Sequence, residues 1–438
     1  TTTTARSVPN RPHSHPATSQ AMTMILADAG KKTAAFFRHP FFSDYRTIAA
    51  LWAIRAIVAA IAKGGLDGGK LNNFLIFRQV FWHLVDLKSL YAYYPEEYYD
   101  HNLYGPLFSV IIAPFALMPK FFGLLTWLLA LAATIYAAII KLPLAKGAKI
   151  FIFWYLSNEV WGALIMAQFN IVIAAVIIGS YSALRRNHTG IAAFLIMLGA
   201  MTKLYGILGF AFFFFTRRKA RFTMWLAVWG AIFFALPMLL SSPSYVIDQY
   251  AEWYATIVDK NNLNVAVGFN TRSDWYQNIS VLGMTHRITQ MEFSDLYILI
   301  PAMLLFLLPY CRTGQYANHG FQWGIVASAL MCIILFSTGS ESSGYIIAIL
   351  GVALWYVTSP WKRSKWDIAL LIFALLIGSF GTSDLVPRSI QKSLIRPYSL
   401  KALPILMVWL KLIWELCTRN YAPAAETTNH QNITSDAG

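Results

Sequence analysis

"LNNFLIFRQVFWHLVDLKSLYAYYPEEYYDHNLYGP", residues 71–106, is too charged to cross a bilayer and too aromatic for an ordinary loop. Its first part places Phe74, Phe77, Phe81 and Leu84 at positions i, i+3, i+7 and i+10, the spacing of one face of an amphipathic helix. We expect this helix to lie in the membrane–water interface rather than to span the membrane.

A second apolar segment, "YGPLFSVIIAPFALMP" (104–119), ends this region. It is only as long as an interfacial or re-entrant helix, and Pro114 and Pro119 interrupt it. Two membrane-surface helices therefore flank a polar segment, residues 91–104, which we call the tyrosine-rich bend. The bend is expected to hold carboxylates at the boundary between water and lipid.

The composition of the whole chain is that of a membrane protein. Of its 438 residues 57% are hydrophobic and 13% are charged, whereas a soluble protein carries about a quarter charged residues. Apolar runs near the length needed to cross a bilayer recur throughout, and they predict an all-α helical bundle of about twelve spans with both termini in the cytoplasm. The predicted parts are a partly disordered tail (1–45), a transmembrane domain (46–418) and a disordered tail (419–438).

The charges predict the orientation of the chain. There are 35 Lys and Arg against 20 Asp and Glu. Basic clusters such as "RRKAR" and "WKRSKW" lie in short breaks typical of cytoplasmic loops facing anionic membrane lipids, so the basic excess does not indicate a nucleic-acid partner. Most acidic residues fall on the other side, together with the two long polar segments 64–120 and 241–294. Any chemistry is therefore expected at the external face.

Several different short motifs lie on this predicted outer side. They are "NNFLIF" (72–77), the tyrosine-rich bend with its flanks (90–108), "APFALMP" (113–119), "AQFN" (167–170), "MTKLYG" (201–206), "NISVLG" (278–283) and "ESSGYIIAILG" (341–351). In this order they resemble glycosyltransferase family 87, polyprenyl-phosphate-dependent membrane mannosyltransferases of the GT-C class.

The resemblance implies a GT-C type bundle with external juxtamembrane helices. It also implies an activity: inverting transfer of a hexose, mannose in the family, from a polyprenyl-phosphate donor to a lipid or glycan acceptor. The implied location is the bacterial inner membrane, with the active site facing the periplasm or exterior. Fold-level resemblance constrains the site more than the substrate.

One position departs from the family. The family often has an Asp-Phe pair in the first external loop, and its carboxylate is taken as the catalytic base, but this chain has Asn73-Phe74. An amide cannot take a proton. Either the base has moved, or Asn73 only positions the acceptor, or the protein is catalytically altered. The candidates for a relocated base are Asp100, Glu97, Glu96 and Asp67.

Sugar transfer with inversion needs a base for the acceptor hydroxyl and cations for the departing phosphate. Asp100 is the first candidate for the base and Glu97 the second. Lys203 is a candidate for the donor phosphate, with snorkelling to the interface as an equal alternative. Further phosphate candidates are Arg272, Arg287, Arg388, Lys392 and Arg396.

The remaining candidates are polar or aromatic residues that bind a sugar or cap a helix. For substrate binding these are Asn72, Tyr104, Gln168, Asn170, Asn278, Ser280, Glu341 and Tyr345. Stacking on a sugar ring is possible for Trp82, Trp253 and Trp275, although most such residues are ordinary interfacial ones. No histidine spacing indicates a metal site, so no metal and no cofactor are predicted. Glu159, which lies inside an apolar run, is expected to pair with Arg55.

Two other functional classes remain open from the sequence. A transporter or lipid flippase would show repeated halves and polar groups near the membrane midplane. A non-catalytic relic of the glycosyltransferase fold would explain Asn73. The gathering of polar motifs at one surface favours the enzyme.

Overall fold

The computed structural model describes residues 39–65, 70–267 and 278–422. Most of both predicted tails lies outside these ranges, as do the candidates Asp67, Arg272 and Trp275. The chain divides into two compact units, Thr1–Ala50 and Leu51–Gly438. In the first, the described part contains a one-turn helix, Pro40–Ser43.

The described residues are helical and contain no strand, which confirms the all-α prediction for this part of the chain. The α-helices are α1 (Pro40–Ser43), α2 (Tyr45–Ala59), α3 (Asn72–Val85), α4 (Leu107–Ala116), α5 (Lys120–Ile140), α6 (Lys146–Leu164), α7 (Asn170–Arg185), α8 (Thr189–Thr202), α9 (Lys219–Ala235), α10 (Pro243–Val267), α11 (Val281–Thr289), α12 (Leu296–Leu307), α13 (His319–Leu335), α14 (Tyr345–Val357), α15 (Lys365–Phe373), α16 (Arg388–Ile390) and α17 (Ala402–Thr418).

Four helical segments are long and apolar enough to cross a membrane: Tyr45–Gly64, Lys120–Ile140, Lys219–Leu239 and Lys365–Thr382. In three of them an α-helix is extended at its C-terminal end by a short π or 3₁₀ stretch. Other apolar helices are shorter, at 10–17 residues. The chain is therefore a helical membrane protein, and the twelve-span topology stays a prediction.

The helix expected from the opening stretch is present as α3. Its predicted apolar stripe is buried, with Phe74, Phe77, Phe81 and Leu84 between 0% and 6% exposed. The stripe packs against protein, chiefly α4, and the Phe77 ring meets the Tyr104 ring edge-on at 5.1 Å. The helix was predicted correctly, but its apolar face contacts the protein core rather than lipid.

A tight helical hairpin places Lys203 at its tip. Helix α8 ends at Thr202, and a 3₁₀ helix, Leu204–Phe215, folds back against it. At Gly206 a Cβ would lie 2.2 Å from the Gly199 carbonyl carbon, so only glycine permits this approach. Lys203 is the single extended residue between the two helices, which fixes its position at one end of the bundle.

The partner of Glu159 is Lys401, and the expected pairing with Arg55 is wrong. Lys401 Nζ lies 3.2 Å from Glu159 Oε1, and both side chains are nearly inaccessible, at 2% and 3%. Arg55 instead donates to the backbone oxygen of Ser157 at 2.7 Å. Lys401 also donates to the Ser342 backbone oxygen at 3.2 Å, so the ion pair joins α6 to the start of α17 and to the segment preceding α14.

Lys401→Met is expected to lower the free energy of unfolding by about 3–5 kcal/mol, because it leaves Glu159 as a buried charge without its partner. Replacing both residues, Glu159→Gln with Lys401→Met, should recover most of this loss. The matched control is Lys88→Met, since Lys88 and its partner Asp86, 3.3 Å away, are both about half exposed; it should cost about 1 kcal/mol or less. Denaturant unfolding in detergent measures all three, and equal losses for the two lysines would contradict the prediction.

Candidate active site

A cavity of about 730 Å³ lies where several helices end. Its wall is built from segments far apart in the chain: the end of the first apolar helix, the start of α3, the tyrosine-rich bend, the turn after α6, the tip of the α8 hairpin, α10, and residues 337–341. Polar side chains in the wall include Lys63, Lys70, Asn72, Asn73, Asp100, His101, Tyr104, Gln168, Lys203, Tyr205, Lys260, Asn261, Asn264, Ser337, Thr338 and Glu341.

The ammonium group of Lys203 is held inside this cavity. Its Nζ donates to Asn170 Oδ1 at 2.8 Å and lies over the rings of Tyr104, at 5.5 Å from the centroid, and of Tyr205, at 4.9 Å. Two aromatic faces attract a cation electrostatically and restrict where it can sit. Lys203 is therefore a cation held in position by its neighbours.

A chain of hydrogen bonds crosses the cavity wall. Tyr104 Oη donates to Gln168 Oε1 at 3.2 Å, and Gln168 Nε2 donates to Glu341 Oε2 at 3.3 Å. Burial raises the pKa of Tyr104 well above its ordinary value, and the negative charge of Glu341 adds to the shift. Tyr104 therefore stays a neutral donor at physiological pH, and Gln168 presents its amide to the carboxylate.

The turn that presents Gln168 has a left-handed residue without glycine. Ala167 has a φ of 50°, is fully buried, and accepts a hydrogen bond from Trp127 Nε1 at 3.1 Å. Left-handed backbone brings Cβ close to the following carbonyl oxygen, which costs a residue other than glycine about 1–2 kcal/mol.

Asp100 enters the cavity from a strained position in the tyrosine-rich bend. Its φ is 79°, its Oδ1 accepts from the His101 backbone nitrogen at 2.8 Å, and its side chain is 34% exposed. The preceding residue, Tyr99, is held to α3 because its backbone nitrogen donates to Asn72 Oδ1 at 2.7 Å. Asn72 thus anchors the backbone next to Asp100.

Asn73 also lines the cavity, but its amide is already engaged. Its Nδ2 donates to the Met166 backbone oxygen at 2.8 Å. A carboxylate has no hydrogen to donate to a carbonyl oxygen. Asparagine therefore links the start of α3 to the turn bearing Gln168 in a way that aspartate at this position does not.

Glu97, the second candidate for the base, is not among the residues that line this cavity. Its Oε2 lies 2.8 Å from Nε2 of His83, which is 1% exposed. Burial lowers the pKa of His83 below its ordinary value, although the neighbouring Glu97 carboxylate opposes the shift. Glu97 fastens the bend to α3.

The motif at 278–283 and Tyr345 form a separate buried cluster. Ser280 Oγ accepts from the Gly283 backbone nitrogen at 3.2 Å and so caps α11. Asn278 Nδ2 donates to the Asn264 backbone oxygen at 3.2 Å, and Tyr345 Oη donates to the Ile279 backbone oxygen at 2.7 Å. The structure gives these three side chains contacts that hold helix ends together.

The predicted arginine candidates that the structure describes are not among the residues that line the cavity. Arg388 is exposed at the start of α16. Arg396 donates to Gln391 Oε1 at 2.8 Å, and Arg287 is buried in α11, where it contacts Ser399. These groups lie apart from Lys203 and Asp100.

Three lysines of the cavity wall, Lys63, Lys70 and Lys260, were missed by the sequence reasoning. Lys260 belongs to α10, where Ile257, Lys260, Asn261 and Asn264 follow helical spacing and face the cavity together. That spacing is visible in the sequence "IVDKNNLN" and was the available signal.

At the end of an apolar helical bundle, the cavity thus combines lysines, which can bind an anionic group, with carboxylates, which can accept a proton or a hydrogen bond. The family model described as glycosyltransferase family 87 matches residues 102–338, more than half of the 438 residues, and the chain belongs to this family. It is therefore a glycosyltransferase. The match contains Gln168, Lys203 and Lys260 and excludes Asp100 and Glu341. No curated protein matches the chain.

Ala167→Gly is expected to change the free energy of unfolding by less than about 1 kcal/mol, because relief of the left-handed strain offsets the loss of a buried methyl group. Ala167→Val should destabilise by about 2 kcal/mol or more, because a β-branched residue is strained at this φ and has no room. Thermal unfolding in detergent compares the two. A glycine variant less stable than the valine variant would contradict the reasoning.

Proposed function

We propose that this glycosyltransferase transfers a hexose from a polyprenyl-phosphate donor to a hydroxyl group of a lipid or glycan acceptor, and that the hexose is mannose. Transfer inverts the anomeric carbon and takes place at the external face of the membrane. The observation that carries the proposal is the joining of four lysines with Asp100 and Glu341 in one cavity at the ends of apolar helices.

The lysines suit a phosphate leaving group. A phosphate diester gains a negative charge when its bond to the sugar breaks, and fixed cations stabilise that charge most in the transition state. Lys203 is held by Asn170 and two aromatic rings, so its charge needs no rearrangement during the reaction. Lys63, Lys70 and Lys260 add positive charge around the same space.

The apolar part of the wall suits a lipid-linked donor. Leu71, Ile76, Leu103, Ile165 and Leu204 line the cavity beside the polar groups, and Leu204 is 47% exposed on the outside of the bundle. A prenyl chain can bury this apolar surface, whereas a soluble nucleotide sugar has no apolar chain to cover it.

The carboxylates have separate roles in this proposal. Asp100, partly exposed and in the cavity, takes the proton of the acceptor hydroxyl as general base. Glu341, fixed by Gln168, accepts hydrogen bonds from sugar hydroxyls. Asn73 positions the acceptor side of the cavity through its bond to Met166 and takes no proton.

The first test replaces the proposed base. Asp100→Asn should lower kcat by about 10²–10⁴-fold, the usual contribution of a positioned base. Glu97→Gln should keep kcat within the same order of magnitude, because a glutamine still hydrogen-bonds His83. The assay is transfer of radiolabelled mannose from polyprenyl-phosphate mannose to host lipid extract in nanodiscs.

Three outcomes of that assay contradict parts of the proposal. Loss of transfer in Glu97→Gln with an active Asp100→Asn would move the base. A silent natural protein together with an active Asn73→Asp variant would show a degenerate enzyme. Retention of configuration at the anomeric carbon, read by NMR of the product, would remove the inverting mechanism.

Chelation of divalent metals should leave the rate of transfer unchanged, because lysines supply the positive charge that a metal provides in many enzymes that use diphosphate donors. The measurement compares initial rates in buffer with EDTA and in buffer with added Mg²⁺ or Mn²⁺. The paired variant Lys203→Met should lose transfer under both conditions. A rate that falls with EDTA and returns with metal would refute this prediction.

A further inference from the structure

Lys260 is the cavity lysine that pairs with the proposed base, Asp100. Its Nζ lies 3.6 Å from Asp100 Oδ1, with the two side chains 21% and 34% exposed. This separation exceeds the 2.7–3.2 Å of a good N–H···O hydrogen bond. A partly exposed, loosely spaced ion pair contributes little stability, so another anion can displace one of its members.

The backbone that carries Lys260 is fixed on both sides. Trp253 lies about two turns before Lys260 in α10, and its Nε1 donates to the Leu103 backbone oxygen at 3.1 Å. Asn261 Oδ1, the next residue, accepts from Thr338 Oγ1 at 2.6 Å. The helix is thus attached to the tyrosine-rich bend and to segment 337–341, and only the long, flexible side chain of Lys260 is free to change partner.

We propose that Lys260 binds the phosphate of the donor, an inference that rests on the function proposed above. When Lys260 leaves Asp100 and pairs with the phosphate, the base is released. With the cavity empty, Lys260 engages Asp100. When a phosphate enters, Lys260 turns to it, and Asp100 becomes available to the acceptor hydroxyl. The base is therefore released only when the donor is bound, which orders the two substrates.

The transfer step balances with these groups alone. The acceptor O–H gives its proton to the Asp100 carboxylate while its oxygen forms a bond to the anomeric carbon. The bond between that carbon and the phosphate oxygen breaks, and the electron pair stays on the phosphate. The charge of the phosphate changes from −1 to −2, and Lys260 and Lys203 face this added charge.

Binding of decyl phosphate, measured by titration calorimetry in nanodiscs, tests the exchange without turnover. Lys260→Met should weaken binding about tenfold, as expected for loss of a direct charge contact. Asp100→Asn should tighten binding severalfold, because the phosphate no longer competes with a carboxylate for Lys260. In the double variant the tightening should disappear, which is the coupling that a double-mutant cycle detects.

The control cycle uses a second ion pair of the same region. Lys88 and Asp86 lie 3.3 Å apart and are about half exposed, and neither lines the cavity. Lys88→Met and Asp86→Asn should leave the dissociation constant unchanged. Decyl glucoside, which carries no charge, controls for the alkyl chain, and Lys260→Gln with a melting curve controls for misfolding of the methionine variant.

Unchanged affinity in Lys260→Met would overturn the inference. So would equal tightening by Asp100→Asn with and without Lys260, since that result is general charge repulsion. The proposed function fails separately. Absent mannose transfer with an intact binding cycle would remove the donor assignment, whereas transfer without coupling would remove only the exchange.

Discussion

A polar group that leaves water for the interior of an apolar bundle needs a partner, and this requirement organises the protein. Glu159 and Lys401 are paired in the core, and Glu415 is paired with Arg363 at 3.1 Å. Most charges that line the cavity lie at helix ends or in the connecting segments, and Lys260 lies within α10. The cavity wall consists of such ends, of the segments that connect them and of one side of α10.

The same requirement ties side chains of the site to their neighbours. Lys203, Gln168 and Glu341 belong to three separate connections, yet each is tied to a neighbour by a side-chain contact. The core pair reaches this site too, because Lys401 donates to the backbone oxygen of Ser342, next to Glu341. The buried ion pair and the hydrogen bond that holds Glu341 are therefore adjacent, so contacts that satisfy buried polar groups also hold part of the site in place.

The sequence was informative where the spacing of apolar residues or a short motif is enough for a prediction. The spacing of Phe74, Phe77, Phe81 and Leu84 predicted α3, and glycosyltransferase motifs predicted the family. It was uninformative where a contact joins distant segments. Glu159 and Lys401 are 242 positions apart, so no local pattern pairs them. In the irregular bend, Asp100 and Glu97 are three residues apart, yet one lines the cavity and the other meets His83.

The 3₁₀ helix Leu204–Phe215 shows that the length of a segment in ångströms does not follow from its number of residues alone. Its accessibility repeats every third position, with Gly206, Gly209 and Phe212 buried and Leu204, Ile207 and Phe210 exposed. A 3₁₀ helix rises about 2.0 Å per residue, so twelve residues reach about 24 Å, against about 18 Å in an α-helix. A segment wound in this way covers a given distance with fewer residues, so a count of residues alone underestimates how far it reaches.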